Sequence, residues 1–290
     1  MGEDSFETDN NVNIGADIGS NGQIAVRNGV TVNGAAKPAV GAPAPITGNG
    51  STISGGTQYQ ASPWVLPFGD FAAASLSGAS NNAALPAGYF RDAAKKHFYI
   101  GTTGTTYTMP AGDYHFCSFE LERGVQLLLP TNGLVRIFVD HFSRPGSPCT
   151  TDPAITTHGR FLLDNSVDVN PIAGQPQNLE VYVHGTGNEA ANTYRTCGGS
   201  SYQDDVIFCN SVTFKGVLIA GKSTVRMRNG ATVTGGIASK AIDIKNGMTF
   251  VRSAAVESKL FNVPTAVTKR GWFECRTEPT DPADPESGCS

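Results

Sequence analysis

The chain has 290 residues, 39% of them hydrophobic and only 16% charged, with 34 glycines, 17 prolines and a formal net charge of −4. That apolar fraction is ample for a core and excludes a chain disordered throughout. No run of 18 apolar residues occurs, which excludes a transmembrane helix in this chain. Low charge, abundant glycine and alternating Thr/Val/Ile stretches without helical periodicity indicate an all-β fold.

Residues 1–34 open polar and acidic, with no signal-peptide pattern, and then become strand-like. We read this start as that of a mature ectodomain whose leader or anchor lies outside the chain. Residues 35–97 are rich in Ala, Pro, Gly and Ser and are expected to form a long loop excursion. Within it, Trp64-Val65-Leu66-Pro67-Phe68 is an apolar anchor for docking the excursion back, and 71–76 could hold one short helix. Strand signals dominate from His97 onward, at 98–100, 105–109, 114–122, 125–129, 134–142, 161–169, 179–184, 206–208 and 212–220. The body is expected to span 98–262, closed by a short capping helix at 254–262. A disulfide-held C-terminal tail follows at 263–290, acidic and Pro-rich over 277–290.

The stretch 212–251 contains one short unit twice. Val225-Arg226-Met227-Arg228-Asn229-Gly230 recurs as Ile242-Asp243-Ile244-Lys245-Asn246-Gly247, an offset of 17 residues. Ile24-Ala25-Val26-Arg27-Asn28-Gly29 is a third copy. Alternation with period two places Val225 and Met227 on one strand face and Arg226 and Arg228 on the other, and Asn-Gly supplies the φ > 0 positions of a tight turn. The spacing suits one coil of a β-solenoid, with Val225 over Ile242 and Met227 over Ile244. The alternative is a pair of consecutive hairpins in a β-sandwich.

Six cysteines, none in a CxxC pair, lack zinc-ribbon spacing and point to an oxidising, extracellular compartment. Six cysteines allow many pairings. Cys197–Cys209 and Cys275–Cys289 each bracket a polar loop and are favoured, which leaves Cys117–Cys149.

Met109-Pro110-Ala111-Gly112-Asp113-Tyr114-His115-Phe116 resembles a strand entry of bacterial surface β-solenoid proteins of the PilX-like pilus-assembly type. Leu134-Val135-Arg136-Ile137-Phe138-Val139-Asp140 is similar to an apolar strand of theirs. Phe214-Lys215-Gly216-Val217-Leu218-Ile219-Ala220 with Thr234-Gly235-Gly236-Ile237-Ala238-Ser239-Lys240 looks like their paired coils, and Ala16-Asp17-Ile18-Gly19-Ser20-Asn21-Gly22 like their N-terminal coil. The resemblance covers most of 12–34 and 105–256. It implies a single-stranded right-handed parallel β-helix at a cell surface or pilus, with no catalytic residue to carry over. The chain departs from the family in lacking its N-terminal pilin-like helix.

Motifs that could carry chemistry are few. Gly216-Val217-Leu218-Ile219-Ala220-Gly221-Lys222-Ser223 fits the P-loop pattern, but the residues around it are strand formers and no helix N-terminus follows, so nucleotide is not expected. His97, His115, His141, His158 and His184 are scattered, and neither metal nor other cofactor is expected. Asp164 and Asp168, on one strand, would lie about 13 Å apart, beyond the reach of a glycosidase pair. Asp204 and Asp205 are read as solvated loop residues. Between 213 and 252 lie Lys215, Lys222, Arg226, Arg228, Lys240, Lys245 and Arg252 against the single acid Asp243. The first six are the candidate face for an anionic ligand or partner. In the expected stacking Arg226 meets Asp243 but Arg228 meets Lys245, which argues against a salt-bridge ladder. Nucleic acid is not expected, because the stretch lacks interleaved aromatics. Ice binding would need regular Thr-x-Thr rows, and Thr232 and Thr234 form one pair that the neighbouring coil does not match. The expected role is a non-enzymatic structural or adhesive module. Its partners would be other pilus or cell-surface proteins, or cell-wall or glycan polymer. A carbohydrate-active β-helix lyase or hydrolase is the alternative.

Overall fold

The computed structural model describes residues 2–63, 80–142, 144, 146–149, 159–170, 175–185, 189, 194–197 and 200–256. The anchor at 64–68, the helix at 71–76, His158, residues 257–262 of the capping helix, Cys275, Cys289 and the tail at 263–290 lie outside the described residues. Within them the regular structure is overwhelmingly strand, and 21 strands join in one sheet. The all-β class therefore holds. Helical structure among the described residues is short, with turns at Asn81–Ala84, Ala87–Tyr89, Pro176–Asn178 and 254–256 and a helical residue at Glu189.

Every ladder of the large sheet is parallel. An antiparallel pair occurs in the separate ribbon of Arg195–Cys197 with Ser200–Tyr202. Hairpins at the Asn-Gly turns would have produced antiparallel partners, so that alternative is overturned. Instead the 17-residue offset is a register: Val225 pairs with Ile242 and Met227 with Ile244. The interior side chains of one strand thus lie over those of the next, at the interstrand spacing of about 4.8 Å.

The ladders fall into three columns. In the first, Phe98, Phe119, Phe161, Val206, Val225, Ile242, Phe6 and Ile24 are successive partners, and all are buried. The rings of Phe98 and Phe119 stack at 4.9 Å, and those of Phe119 and Phe161 at 5.1 Å. In the second, Tyr107, Leu127, Val169, Phe214, Val233, Phe250, Ile14, Val32 and Ile53 line up in the same way. The third runs through Tyr114, Ile137, Val181, Leu218 and Ile237. Each fully buried aliphatic or aromatic side chain contributes roughly 1.5–3 kcal/mol, and the three rows meet in one apolar interior.

Between the first and second columns the chain turns through a left-handed residue in tier after tier: Gly104, Gly124, Ser166, Ser211, Gly230, Gly247, Asn11, Gly29 and Gly50 all have φ between 57° and 75°. Backbone N–H groups of seven of them, from Gly124 to Gly29, donate to the carbonyl of the neighbouring tier's Asn165, Asn210, Asn229, Asn246, Asn10, Asn28 and Asn49 in turn. The corner needs αL geometry, which glycine adopts freely and Asn tolerates.

The order of tiers does not follow the order of the chain. Gly2–Thr8 pairs on one side with Thr232–Ile244 and on the other with Gln23–Val26, and Asn13–Ile14 lies between Thr249–Arg252 and Thr31–Val32. The N-terminal strands thus extend the stack beyond its last C-terminal tier. Residues 36–53 add a further tier, with Ala36–Pro38, Ile46–Thr47 and Thr52–Ile53 pairing to 18–32, rather than a loop excursion. Proline does not prevent this. Pro38 closes its strand, and the next donor, Ala39 N–H, bonds the Ser20 carbonyl at 2.9 Å. At the opposite end, Leu85, Tyr89 and Phe90 pack on the core, with Phe90 5.6 Å from Phe98 and Tyr89 4.7 Å from Tyr107.

Candidate functional site: outward charges and the loop-covered face

Three of the basic residues of 213–252, Arg226, Lys240 and Lys245, meet acids that lie far away in the sequence. Arg226 Nε and Nη2 grip both oxygens of Asp204, at 2.6 and 3.0 Å, while Nη1 reaches Asp243. Lys245 Nζ lies 3.0 Å from Asp243 and 3.4 Å from Asp9, and Lys240 Nζ 3.9 Å from Asp4. Burial works against the Arg226 charge, but pairing with Asp204 and Asp243 outweighs it and raises the pKa. Arg226 and Arg228 both sit over the Tyr202 ring, at 4.9 and 5.0 Å. The expectation against a salt-bridge ladder is therefore corrected. Alternating charges run from Asp204 through Arg226, Asp243 and Lys245 to Asp9, and the expected repulsion between Arg228 and Lys245 gives way to separate partners.

Lys222 and Lys215 stand apart from that ladder. Gly221-Lys222-Ser223 forms the irregularity where the register shifts between Ala220 and Thr224. The P-loop pattern is thus extended strand followed by a bulge, in the span Thr213–Met227. Lys222 Nζ lies 3.3 Å from His184 Nε2. Lys215 is half-buried, and its carbonyl accepts from Asn170 Nδ2 at 3.3 Å.

Outward positions of the first column change character where a loop covers them. Leu162 and Ile207 face outward, yet they are buried with Tyr202 and the Cys197–Cys209 disulfide. Cys117 and Cys149 form the second bond, with Cα atoms 5.6 Å apart. Asp204 and Asp205 are buried, at 7% and 0% exposure, which corrects their reading as solvated. Ser223 Oγ donates to Asp205 Oδ2 at 2.8 Å. Glu189 Oε1 accepts from the N–H of Asp205 at 3.2 Å and of Thr224 at 2.7 Å, bridging two tiers. Burial, with the Asp205 charge adding, pushes the Glu189 carboxyl up to about 7. Burial and Lys222 hold the His184 imidazole below its ordinary range. Gly185 seals the cluster at φ +69°, where a Cβ would sit 1.8 Å from Ser223 Oγ.

The other candidates are dispersed. Asp164 follows Phe161–Leu163, and a turn separates it from Asp168, so the two do not share a strand. His97 Nδ1 meets Ser118 Oγ at 3.0 Å in a buried pair, His115 packs edge-on against Phe138, and His141 lies against Phe142. A cleft of about 320 Å³ beside the Cys117–Cys149 bond is lined by Asn82, Lys96, His115, Phe138 and Asp140. Its charges are engaged: Lys96 Nζ donates to the Pro148 carbonyl at 2.7 Å, and Arg144 Nε to Asp140 at 2.7 Å.

Sequence reasoning missed Asp4, Asp9, Glu189 and Tyr202, and it singled out Asp204 only as a solvated loop residue. Asp9 was recoverable: it precedes Asn10 as Lys245 precedes Asn246, the position that flanks the repeated turn. Glu189 and Tyr202 lie in an excursion without periodicity and left no such signal. Among the described residues, no helix is long and apolar enough to cross a membrane. No protein-family model, curated protein or solved structure matches this chain.

Proposed function

We propose that the three parallel columns form a right-handed β-helix, and that the chain is a non-enzymatic extracellular structural or adhesive module of a bacterial cell surface or pilus system. Its partners are other pilus or surface proteins, or a cell-wall or glycan polymer. Parallel crossovers are right-handed in almost all proteins, which supports the hand. The observation that carries the functional reading is where the outward polar groups go. The asparagines at the corner and the Asp204–Arg226–Asp243–Lys245–Asp9 ladder use their hydrogen bonds and charges to join tier to tier. That arrangement spends the outward polar groups on holding neighbouring tiers together. Two disulfides pin its excursions, as suits an oxidising exterior.

Deletion of the gene in its native host, followed by imaging of pili and counting of attached cells, tests this reading. Loss of pili or attachment, restored by wild type and equally by a Glu189→Gln variant, is the expected result. Unchanged pili and attachment would overturn it. The Glu189 carboxyl, beside Asp205 and raised to about 7, favours a second reading as a carbohydrate-active lyase or hydrolase. Chain cleavage of a polysaccharide by wild type but not by Glu189→Gln would establish that one instead.

A further inference from the structure

The second column carries an outward row that the repeat alone does not reveal. Thr213, Thr232, Thr249, Asn13, Thr31 and Thr52 are successive ladder partners on six adjacent tiers. Each precedes an inward core residue: Phe214, Val233, Phe250, Ile14, Val32 and Ile53. The six side chains therefore all point out; Asn13 and Thr52 are exposed, and Thr213, Thr232, Thr249 and Thr31 are half-buried. A second file stands two residues on, with Lys215, Thr234, Val251, Gly15, Asn33 and Ser54 in the corresponding positions. The ladders between these positions run without a register shift, so the row stays in line.

Spacing and charge decide what such a face can hold. Neighbouring tiers are about 4.8 Å apart, and the two files about 6.7 Å apart, so the first file runs roughly 24 Å. From Thr232 to Thr52 neither file contains a charged residue. Threonine offers one hydroxyl that can hold a water and one methyl that excludes loosely bound solvent, and Val251, 42% exposed, adds a further apolar patch. A row of this kind fixes waters at a two-dimensional repeat instead of enclosing a discrete ligand. It contains no aromatic ring on which a sugar could stack. The threonines that continue the first file past Thr249, Thr31 and Thr52, come from the far end of the chain, while in the second file Thr234 is the one threonine. We propose that this row is an ice-binding face, whose ordered waters join the lattice of an ice crystal surface.

The test uses the full chain, measuring thermal hysteresis, inhibition of ice recrystallisation and partition of labelled protein into growing ice. Thr232→Lys and Thr31→Lys place a charge in the middle of the row. Glu7→Lys places the same side chain on the first column, and circular dichroism checks that all variants fold. Concentration-dependent hysteresis and ice partition in wild type and Glu7→Lys, lost in both threonine variants, is the expected result. Absence of ice activity in folded wild type would overturn the proposal, as would full activity in the threonine variants. Threonine-dependent binding of a soluble glycan without ice activity would also overturn it.

Discussion

Asparagine at the corner works through both its backbone and its side chain. Its carbonyl receives the N–H of the αL residue in the adjacent tier, while its amide reaches the next asparagine: Asn210 to Asn165 at 3.0 Å, Asn229 to Asn210 and Asn246 to Asn229 at 3.5 Å. Beyond Asn246 the side-chain oxygens of Asn246, Asn10 and Asn28 instead accept backbone N–H groups, at 2.9–3.2 Å. Asn229→Ala and Asn246→Ala should each cost about 1 kcal/mol. The double variant should depart from additivity, because the two are in direct contact. Urea unfolding of the three variants checks this. Glu189 gives a pH prediction. Its folded pKa, about 7, exceeds the ordinary 4.5, so the native state binds the proton more tightly than the unfolded chain. Stability attributable to this group is greatest at low pH and falls as pH rises through about 5 to 7. Urea midpoints across that range should fall more steeply for wild type than for Glu189→Gln.

At the scale of elements, a strand that passes a corner must bend or gain residues. Thr213–Met227 does both, turning near Gly216 and bulging at Gly221-Lys222-Ser223. Gly235 is held at φ +134° with a would-be Cβ 2.1 Å from the Gly216 carbonyl oxygen, so Gly235→Ala should be poorly tolerated. Phe119 lies between Phe98 and Phe161, and Phe119→Ala should cost about 3–5 kcal/mol in thermal or urea unfolding. The Cys197–Cys209 bond closes a short excursion, and Cys197→Ser/Cys209→Ser should lose about 2–4 kcal/mol, with proteolytic cleavage appearing first between those positions. Elements of this kind were legible wherever apolar alternation met an Asn-Gly turn: Val225 over Ile242 follows from the 17-residue offset. They were not legible at 36–53, where small residues and proline look like linker and the strand state comes from backbone bonds to 18–32. The charged ladder was half legible. Asp243 sits in the repeat, but Asp204 arrives on a covering loop and Asp9 from the other end of the sequence, and neither shares the period that made the rest readable.

For the molecule as a whole, the long-range join between Gly2–Thr8 and Thr232–Ile244 is the distinguishing feature. Its partners are separated by most of the chain, so it closes late if local tiers form first, and folding should be slow for a protein of this size. Removing residues 2–60 would leave the 232–252 strands with an open edge of unpaired backbone groups. That truncated chain should self-associate, and size-exclusion chromatography with light scattering would show oligomers where the full chain elutes as a smaller species. The same join governs mechanical load. Gly2 pairs with Ser239, and Asn13 with Thr249, so residues 2 and 252 lie on adjacent tiers, away from both ends of the stack. Tension applied between those two points falls first on the hydrogen bonds of one tier boundary. The tiers on either side would stay slack until that seam parts, so a force–extension trace should begin with a single rupture at the seam rather than a tier-by-tier unravelling from an end.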